Sequence, residues 1–331
     1  MIDEHADPTV GDLSEGEILR RILERVGPSA ALVGPGDDAA VIAAADGRVV
    51  ATVDTLVHGP DFRLAWSSAF DLGFKAAAVN LADVAAMGAT PTALLVALAM
   101  PESTRVSFVT GLADGLRAAC RELAPGCAIE GGDLTVSDTL TVAVTALGAL
   151  AGRDPVLRSG ARPGDAVALA GELGRAARGL RVLFERFTDG AGRPVPLDER
   201  TLTPGERGDL AAQLRPTPPV ALGPAAAAAG ATAMMDVSDG LVLDATRLAE
   251  ASGVTVSIET ATLGPDPASA LTGGEDHALL ATFPGDVALP HGFHRIGSIA
   301  ARGETAVLVD GRPPSGPGGW DPYRDWDSRS G

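Results

Sequence analysis

Six short acidic patches, each bordered by glycine or small residues, recur along the chain: GPGDDAAVI at 34–42, ATVDTLV at 51–57, NLADVAAMGA at 80–89, EGGDLT at 130–135, MMDVSDGL at 234–241 and LTGGEDH at 271–277. Aspartate is rarely buried unless it is paired or bound to metal, because desolvating the anion costs several kcal/mol. Here it recurs inside apolar segments with almost no basic residues beside it. Divalent cations that neutralise these carboxylates, and in turn hold a polyphosphate, resolve the conflict most economically.

Each patch has its own logic and an ordinary alternative as turn, cap or ion pair. GDDAAV reads as a turn entering a strand. Asp54 interrupts a run of Val and Thr, where Asp is depleted in strands. Asn80 and Asp83, three apart, share one face of a helix. EGGD ends a short strand, and its glycines let backbone approach a phosphate while Asp133 meets a cation. Asp236 and Asp239 flank Ser238 just ahead of a helix, a capping pattern that also suits metal and phosphate. Glu275 and Asp276 follow a glycine turn and suit a cationic or amino-bearing ligand. Arg158 is the one basic residue near this set, able to clamp a phosphate. The joint occurrence carries the reading.

The elements that must position these residues follow from periodicity. Helical spacing predicts helices over 14–26, 68–87, 105–123, 175–187 and 241–252, with shorter ones near 205–214 and 224–229. Strands are expected at 39–44 and 48–57, joined as a hairpin through Asp46-Gly47, and at 92–100, 139–150, 166–170, 254–259, 277–283 and 305–309, with another ending at Met235. The stretch 152–165 is the best domain boundary, dividing an N-terminal unit, 1–151, from a C-terminal one, 152–331. Residues 188–224 form a Pro/Gly-rich surface excursion. The fold class is α/β (α+β) in two domains.

Composition narrows the function classes. A net charge of −17 argues against nucleic-acid and anionic-membrane partners. There is no apolar signal core and no run of 18 apolar residues, so the chain reads as soluble and cytoplasmic. Cys120 and Cys127 lack a CxxC or His-rich context and read as reduced and structural. Lys75 is the only lysine and lies in a helical run, which removes a P-loop and a protein-kinase strand lysine.

In order and separation, GDDAAV, VDTLV, FKAAAVNLADVAAMGATP, EGGDLT, RSGARPGD, DVSDGL and LTGGEDHAL resemble the thiamine-monophosphate kinase family, within the superfamily of aminoimidazole ribonucleotide synthetase and selenophosphate synthetase. The resemblance implies ATP-dependent phosphorylation of thiamine monophosphate to thiamine diphosphate in a homodimer. It implies several Mg²⁺ ions on Asp38, Asp54, Asp83, Asp133 and Asp236, with Thr52 and the carbonyl of Val53 completing the shell and Asp239 holding a further ion. Gly132, Asp133, Arg158 and Ser238 would contact ATP; Asp61, Glu275 and Trp320 would face thiamine phosphate, Trp320 by stacking. Asp61 stands where the family usually has histidine in a Gly-x-His-Phe stretch, and His277 where an aromatic often follows GGED. No general base is needed, since the attacking phosphate oxygen is already largely anionic. The alternatives are an aminoimidazole ribonucleotide synthetase-like enzyme and a non-catalytic divalent-cation-binding protein.

Overall fold

A computed structural model describes residues 7–35, 40–316 and 318–320. Asp38, Tyr323 and Trp326 lie outside the described residues.

Helix α1 (Glu15–Val26) starts where Ser14 accepts a hydrogen bond from the Glu17 amide and stops at Gly27, whose φ of 85° continues no helix. It is followed by β1 (Val50–Val57), α2 (Ala69–Ala86), β2 (Thr90–Met100), α3 (Val106–Leu123), β3 (Ala128–Val136) and β4 (Thr141–Ala149). The four strands form one sheet in the order β1-β4-β2-β3, parallel only between β2 and β3. Helices α2 and α3 cover one face. They cross closely because glycines stand at the contact: a Cβ on Gly73 would lie 2.0 Å from the Leu112 carbonyl oxygen, and one on Gly115 2.1 Å from that of Phe70.

The second half contains β5 (Ala166–Ala170), α4 (Arg175–Arg186), α5 (Pro204–Leu214), α6 (Leu222–Ala228), β6 (Ala233–Val237), α7 (Leu241–Ser252), β7 (Val254–Ile258), α8 (Pro267–Thr272), β8 (Ala278–Phe283), β9 (His294–Ala301) and β10 (Val307–Val309). Its six strands order as β10-β7-β9-β5-β8-β6. One face packs Met235, Val237 and Leu280 against Leu241 and Leu248 of α7. The other packs Met234, Ala281 and Phe283 against Ala86 of α2 and Ala226 of α6. Buried on both faces, β6 and β8 are apolar throughout except for Asp236 and Thr282. A satellite core of Trp66, Leu183, Phe187, Leu202, Leu210 and Leu214 joins α4 and α5 to the loop before α2. The expected excursion is therefore a packed helical annex.

Three expectations need correction. The hairpin over 39–57 does not form. The turn exists, with Gly47 at φ 72° and its amide bonded to the Ala44 carbonyl, but β1 pairs instead with β4 from Val50↔Gly148 to Val57↔Thr141. The preceding run makes only an isolated Val33–Val41 bridge. EGGD lies inside β3 rather than at its end. And β9 escaped notice because HRIGSIAA carries charge and glycine in place of a clean alternation. Among the described residues, no helix is long and apolar enough to cross a membrane.

Candidate functional site

Helix α2 touches β1, β2 and β4 on one side and β6, β8 and α6 on the other, so residues from both sheets meet on it. Alternation along β1 turns Thr52 and Asp54 toward α2 and leaves Val53 on the opposite face, 59% exposed. Thr52 Oγ1 donates to Asp83 Oδ2 at 2.8 Å, and the Asp54 amide donates to Asn80 Oδ1 at 3.0 Å. Asn80 Nδ2 donates to the Ala76 carbonyl at 2.9 Å, which fixes the orientation of its amide. From the other sheet, buried Asp236 on β6 lies with Oδ2 3.1 Å from His277 Nδ1.

The electrostatics show that these carboxylates share one space. Burial, then the charges of Asp236 and Asp54, push Asp83 up to about 7. Burial also raises Asp54, with Asp236 and Glu275 adding to the rise and His277 opposing it. For His277, burial alone would lower the pKa, but the hydrogen bond and charge of Asp236 raise it. No arginine or lysine forms an ion pair with Asp54, Asp83 or Asp236 among the described residues.

Divalent cations fit this donor set, though not as a ready-made cage. Among the described residues no three Asp, Glu, His or Cys side chains are grouped tightly enough to enclose an ion. Hard carboxylate oxygens spread around a shared space suit Mg²⁺, which keeps several waters and takes one or two protein carboxylates together with substrate phosphates.

A pH effect follows. The Asp83 carboxyl holds its proton more tightly folded than unfolded, so its contribution to stability is complete below about pH 4 and is lost as pH rises through about 7. With chelator present, the melting temperature should fall between about pH 5 and about pH 8, and Mg²⁺ at the upper pH should restore it. A melting temperature that is flat in chelator across this range would rule out the like-charge account of the cluster.

Beside the cluster opens a cavity of about 570 Å³ whose lining includes Asp61, Glu275 and Trp320 together with Ser238 and Asp239. The first three were expected from the sequence to face one substrate, and the structure brings them together. Asp61 is raised by burial, against the hydrogen bond from the Val57 amide to its Oδ2 at 2.7 Å. The Trp320 amide donates to the Asp239 carbonyl at 2.9 Å, which ties the indole-bearing segment to the loop before α7. Asp239 already has a cation: Arg247 bonds both Asp239 and buried Asp244 at 2.6 Å.

Lys75 was set aside on sequence grounds, yet it lines this cavity. It is buried on α2 and ion-paired with Glu275 Oε2. Oε2 is covered, while the Glu275 side chain as a whole is 42% exposed and opens to the cavity. Burial would raise the Glu275 pKa, but the charges of Lys75 and His277 outweigh it and hold the group below the usual carboxylate range. The loop bearing Glu275 is itself constrained: Glu275 and His277 have φ of 73° and 54°, a costly conformation for residues with a Cβ. It is fixed by bonds from their amides to the carbonyls of Ser238 and Val237.

Gly132, Asp133 and Arg158 do not join the cluster within one chain. Asp54 lies on edge strand β1 and Asp133 on the opposite edge, β3, about 14 Å away across three strand spacings. The row Thr55–Ala143–Ala97–Asp133 also places Asp133 on the open face, away from α2. Gly132 is needed for packing: a Cβ there would lie 2.0 Å from the Val96 carbonyl oxygen. The register shift between Leu94 and Leu95 makes Glu130 a bulge residue, buried and bonded to Ser29 Oγ and the Ala30 amide. It thereby anchors the segment that leads to Asp38. Arg158 is exposed near the start of β6, where its carbonyl accepts from Ser252 Oγ at 2.6 Å.

Other cavity residues gave no signal in the sequence. Trp66 and Phe184 meet edge-to-face at 5.1 Å, and the Arg63 guanidinium lies 4.7 Å from each ring centroid. Nothing in spacing reveals them, or Gln213, because loop and annex come together only in the folded chain.

Comparison with known proteins follows the same lines. Residues 36–150 match the family described as AIR synthase related protein, N-terminal domain. A thiamine-monophosphate kinase of Mycobacterium tuberculosis is 41% identical over 338 residues, covering 97% of this chain and 95% of that protein. One from Corynebacterium glutamicum is 40% identical, covering 95% and 94%. The solved structure of AaThiL complexed with AMPPCP and TMP superposes with a TM-score of 0.72 at 31% identity, covering 93% of this chain and 97% of that one.

Proposed function

Because the chain belongs to the thiamine-monophosphate kinase family, catalysing the ATP-dependent phosphorylation of thiamine monophosphate to thiamine diphosphate, we propose that the acidic cluster receives the ATP phosphates and the 570 Å³ cavity the acceptor. The observation that carries this division is the contact between the two compartments. The Lys75–Glu275 pair opens on the cavity, while His277, two residues on, bonds Asp236 of the cluster.

Asp54, Asp83 and Asp236, with Thr52 and the Val53 carbonyl, would hold Mg²⁺, as would Asp38, Asp133 and Asp239. When bound, the ions neutralise the charge of the two polyanions that must meet in line. The chain's own residues do the rest. Asn80 fixes the backbone of β1 at Asp54, and His277 fixes Asp236. Glu275 and Asp61 place negative charge where the cationic thiazolium of the acceptor lies, with Trp320 as a flat surface for stacking. Ser238, Gly132 and Arg158 are assigned to ATP. No residue needs to act as general base, because the acceptor oxygen is already anionic.

The position of Asp133 points to a homodimer with shared sites. The sheet face opposite α2 carries Ala51, Val53 and Thr55, exposed on β1, whose outer edge has no strand partner among the described residues. A second copy whose β3 edge adjoins this β1 edge, the two sheets curling over the open face, would cover it and bring its Gly132 and Asp133 beside the first copy's β1 at Asp54. In this arrangement residues 1–151 form the ATP/Mg²⁺ and dimerisation unit and 152–331 complete the acceptor pocket. The cytoplasm suits two buried cysteines, Cys120 and Cys127, that remain unbridged.

Incubating the protein with Mg²⁺, ATP and thiamine monophosphate tests the activity directly, with thiamine diphosphate read by chromatography. Folded protein that makes none would overturn the assignment.

A further inference from the structure

The annex carries one side chain that the fold leaves unsatisfied. Gln213 on α5 is only 6% exposed, and its Oε1 has no hydrogen-bond partner although it is enclosed. The same side chain lines the acceptor cavity, next to Leu214 and facing the wall built by Trp66 and Phe184. A buried amide oxygen without a partner costs about 1–3 kcal/mol. Nearly all such groups in native proteins are satisfied, by protein, water or ligand. The adjoining Leu214, Trp66, Leu183 and Phe184 are apolar, so a polar group with a fixed donor and acceptor among them sets the orientation of whatever enters.

We infer that Gln213 reads the aminopyrimidine edge of the acceptor and is a specificity-determining residue; this rests on the thiamine monophosphate reading of the cavity. The chemistry matches on both atoms. A carboxamide presents an acceptor and a donor side by side. The aminopyrimidine edge presents an amino donor beside a ring-nitrogen acceptor, the complement that lets Asn and Gln bind adenine in bidentate fashion. Oε1 is covered in this structure, so the Gln213 amide must rotate toward the cavity for both of its polar atoms to meet the ring. Trp66 and Phe184, held by Arg63, supply the apolar wall beside which such a ring lies. A site that hydrogen-bonds a substrate group discriminates strongly against an analogue lacking it, because its own polar atoms are then left unpaired.

The test compares thiamine monophosphate with the analogue whose pyrimidine amino group is replaced by hydrogen. Wild-type enzyme should favour the natural acceptor by about tenfold or more in kcat/KM, mainly through KM. Gln213→Met, which keeps the length of the side chain but removes both polar atoms, should bring that ratio to within about threefold of unity while leaving KM for ATP unchanged. Gln213→Leu provides a second variant if the first is poorly folded, with the same expectation. A wild-type ratio near unity, or a variant that keeps the wild-type ratio, overturns the inference and leaves Gln213 as a water-filled packing residue. Wild-type protein inert toward both acceptors would instead count against the kinase reading. The same two acceptors compared by quenching of tryptophan fluorescence without ATP then decide the role of Gln213 by itself.

Discussion

Mixing two inactive variants should restore turnover. Asp54→Asn and Asp133→Asn are each expected to lower kcat by about a thousandfold or more, since each removes a charge that no neighbour replaces. Neither should lower the melting temperature, because neither side chain packs in a core, and Asp54→Asn should raise it in chelator near pH 8 by removing one of the charges that crowd Asp83. The sheet order then makes a sharper prediction. If a site takes Asp54 from one subunit and Asp133 from its partner, a hybrid dimer carries one site with both substitutions and one with neither. Equal mixtures that exchange subunits should therefore recover about a quarter of wild-type activity, as random pairing in a twofold dimer requires. Each variant alone, taken through the same exchange, should stay inactive. A mixture no more active than its components, with exchange verified by a tagged subunit, would place both aspartates in one chain's site, and the separation across β1 and β3 would need another explanation.

The second large effect concerns Lys75. A lysine buried among Ala, Val and Leu is expensive unless its charge is compensated, and here Glu275 compensates it. The pair lies where the acceptor cavity adjoins the acidic cluster, so removing the ammonium leaves Glu275 repelled by Asp54 and Asp61 with only the charge of His277 to oppose them. Lys75→Met should lower kcat/KM for thiamine monophosphate by about tenfold to a hundredfold. This is below the full cost of breaking a buried pair, because Glu275 is partly open. The double variant Lys75→Met/Glu275→Gln should regain most of the thermal stability that Lys75→Met loses, yet not the activity. If Lys75→Met is as active and stable as wild type, the pair is incidental. Additive stability losses in the double variant would show that the two groups are not coupled.

The sequence disclosed chemistry more readily than topology. Asp54 inside a Val/Thr run, Asp83 one helical turn from Asn80, and Asp236 opening DVSDG were each visible locally, and the folded chain gathers all three around α2. Asp61, Glu275 and Trp320, distant in sequence, line one cavity. The location of Asp133 was hidden, because it depends on β4 and β2 standing between β1 and β3, a long-range pairing that no local pattern encodes. The same pairing undid the hairpin: Asp46-Gly47 does turn the chain, but β4 offers β1 an eight-residue ladder. Lys75 is on a helix, as its run indicated, but its pairing with Glu275 was not legible, because motif reasoning asks whether a lysine follows a known phosphate loop and not what a buried ammonium must find as its partner. Gln213 offered no local signal, since an unsatisfied amide exists only in the packed state.

Helix α2 also bears on how substrates enter and leave. Both sheets rest on it, and α6 approaches it backbone to backbone, so that a Cβ on Gly223 would lie 2.1 Å from the Ala85 carbonyl oxygen. Swinging the two sheets apart would have to separate Ala86 of α2 from Met234, Ala281 and Phe283, and Gly223 from Ala85. The margins are joined separately: the annex through its own small core, and the Trp320 segment through the Trp320 amide and the Gly318 carbonyl. Single-site labels on the annex should therefore report acceptor binding, while labels placed across the two sheets should stay silent throughout the catalytic cycle.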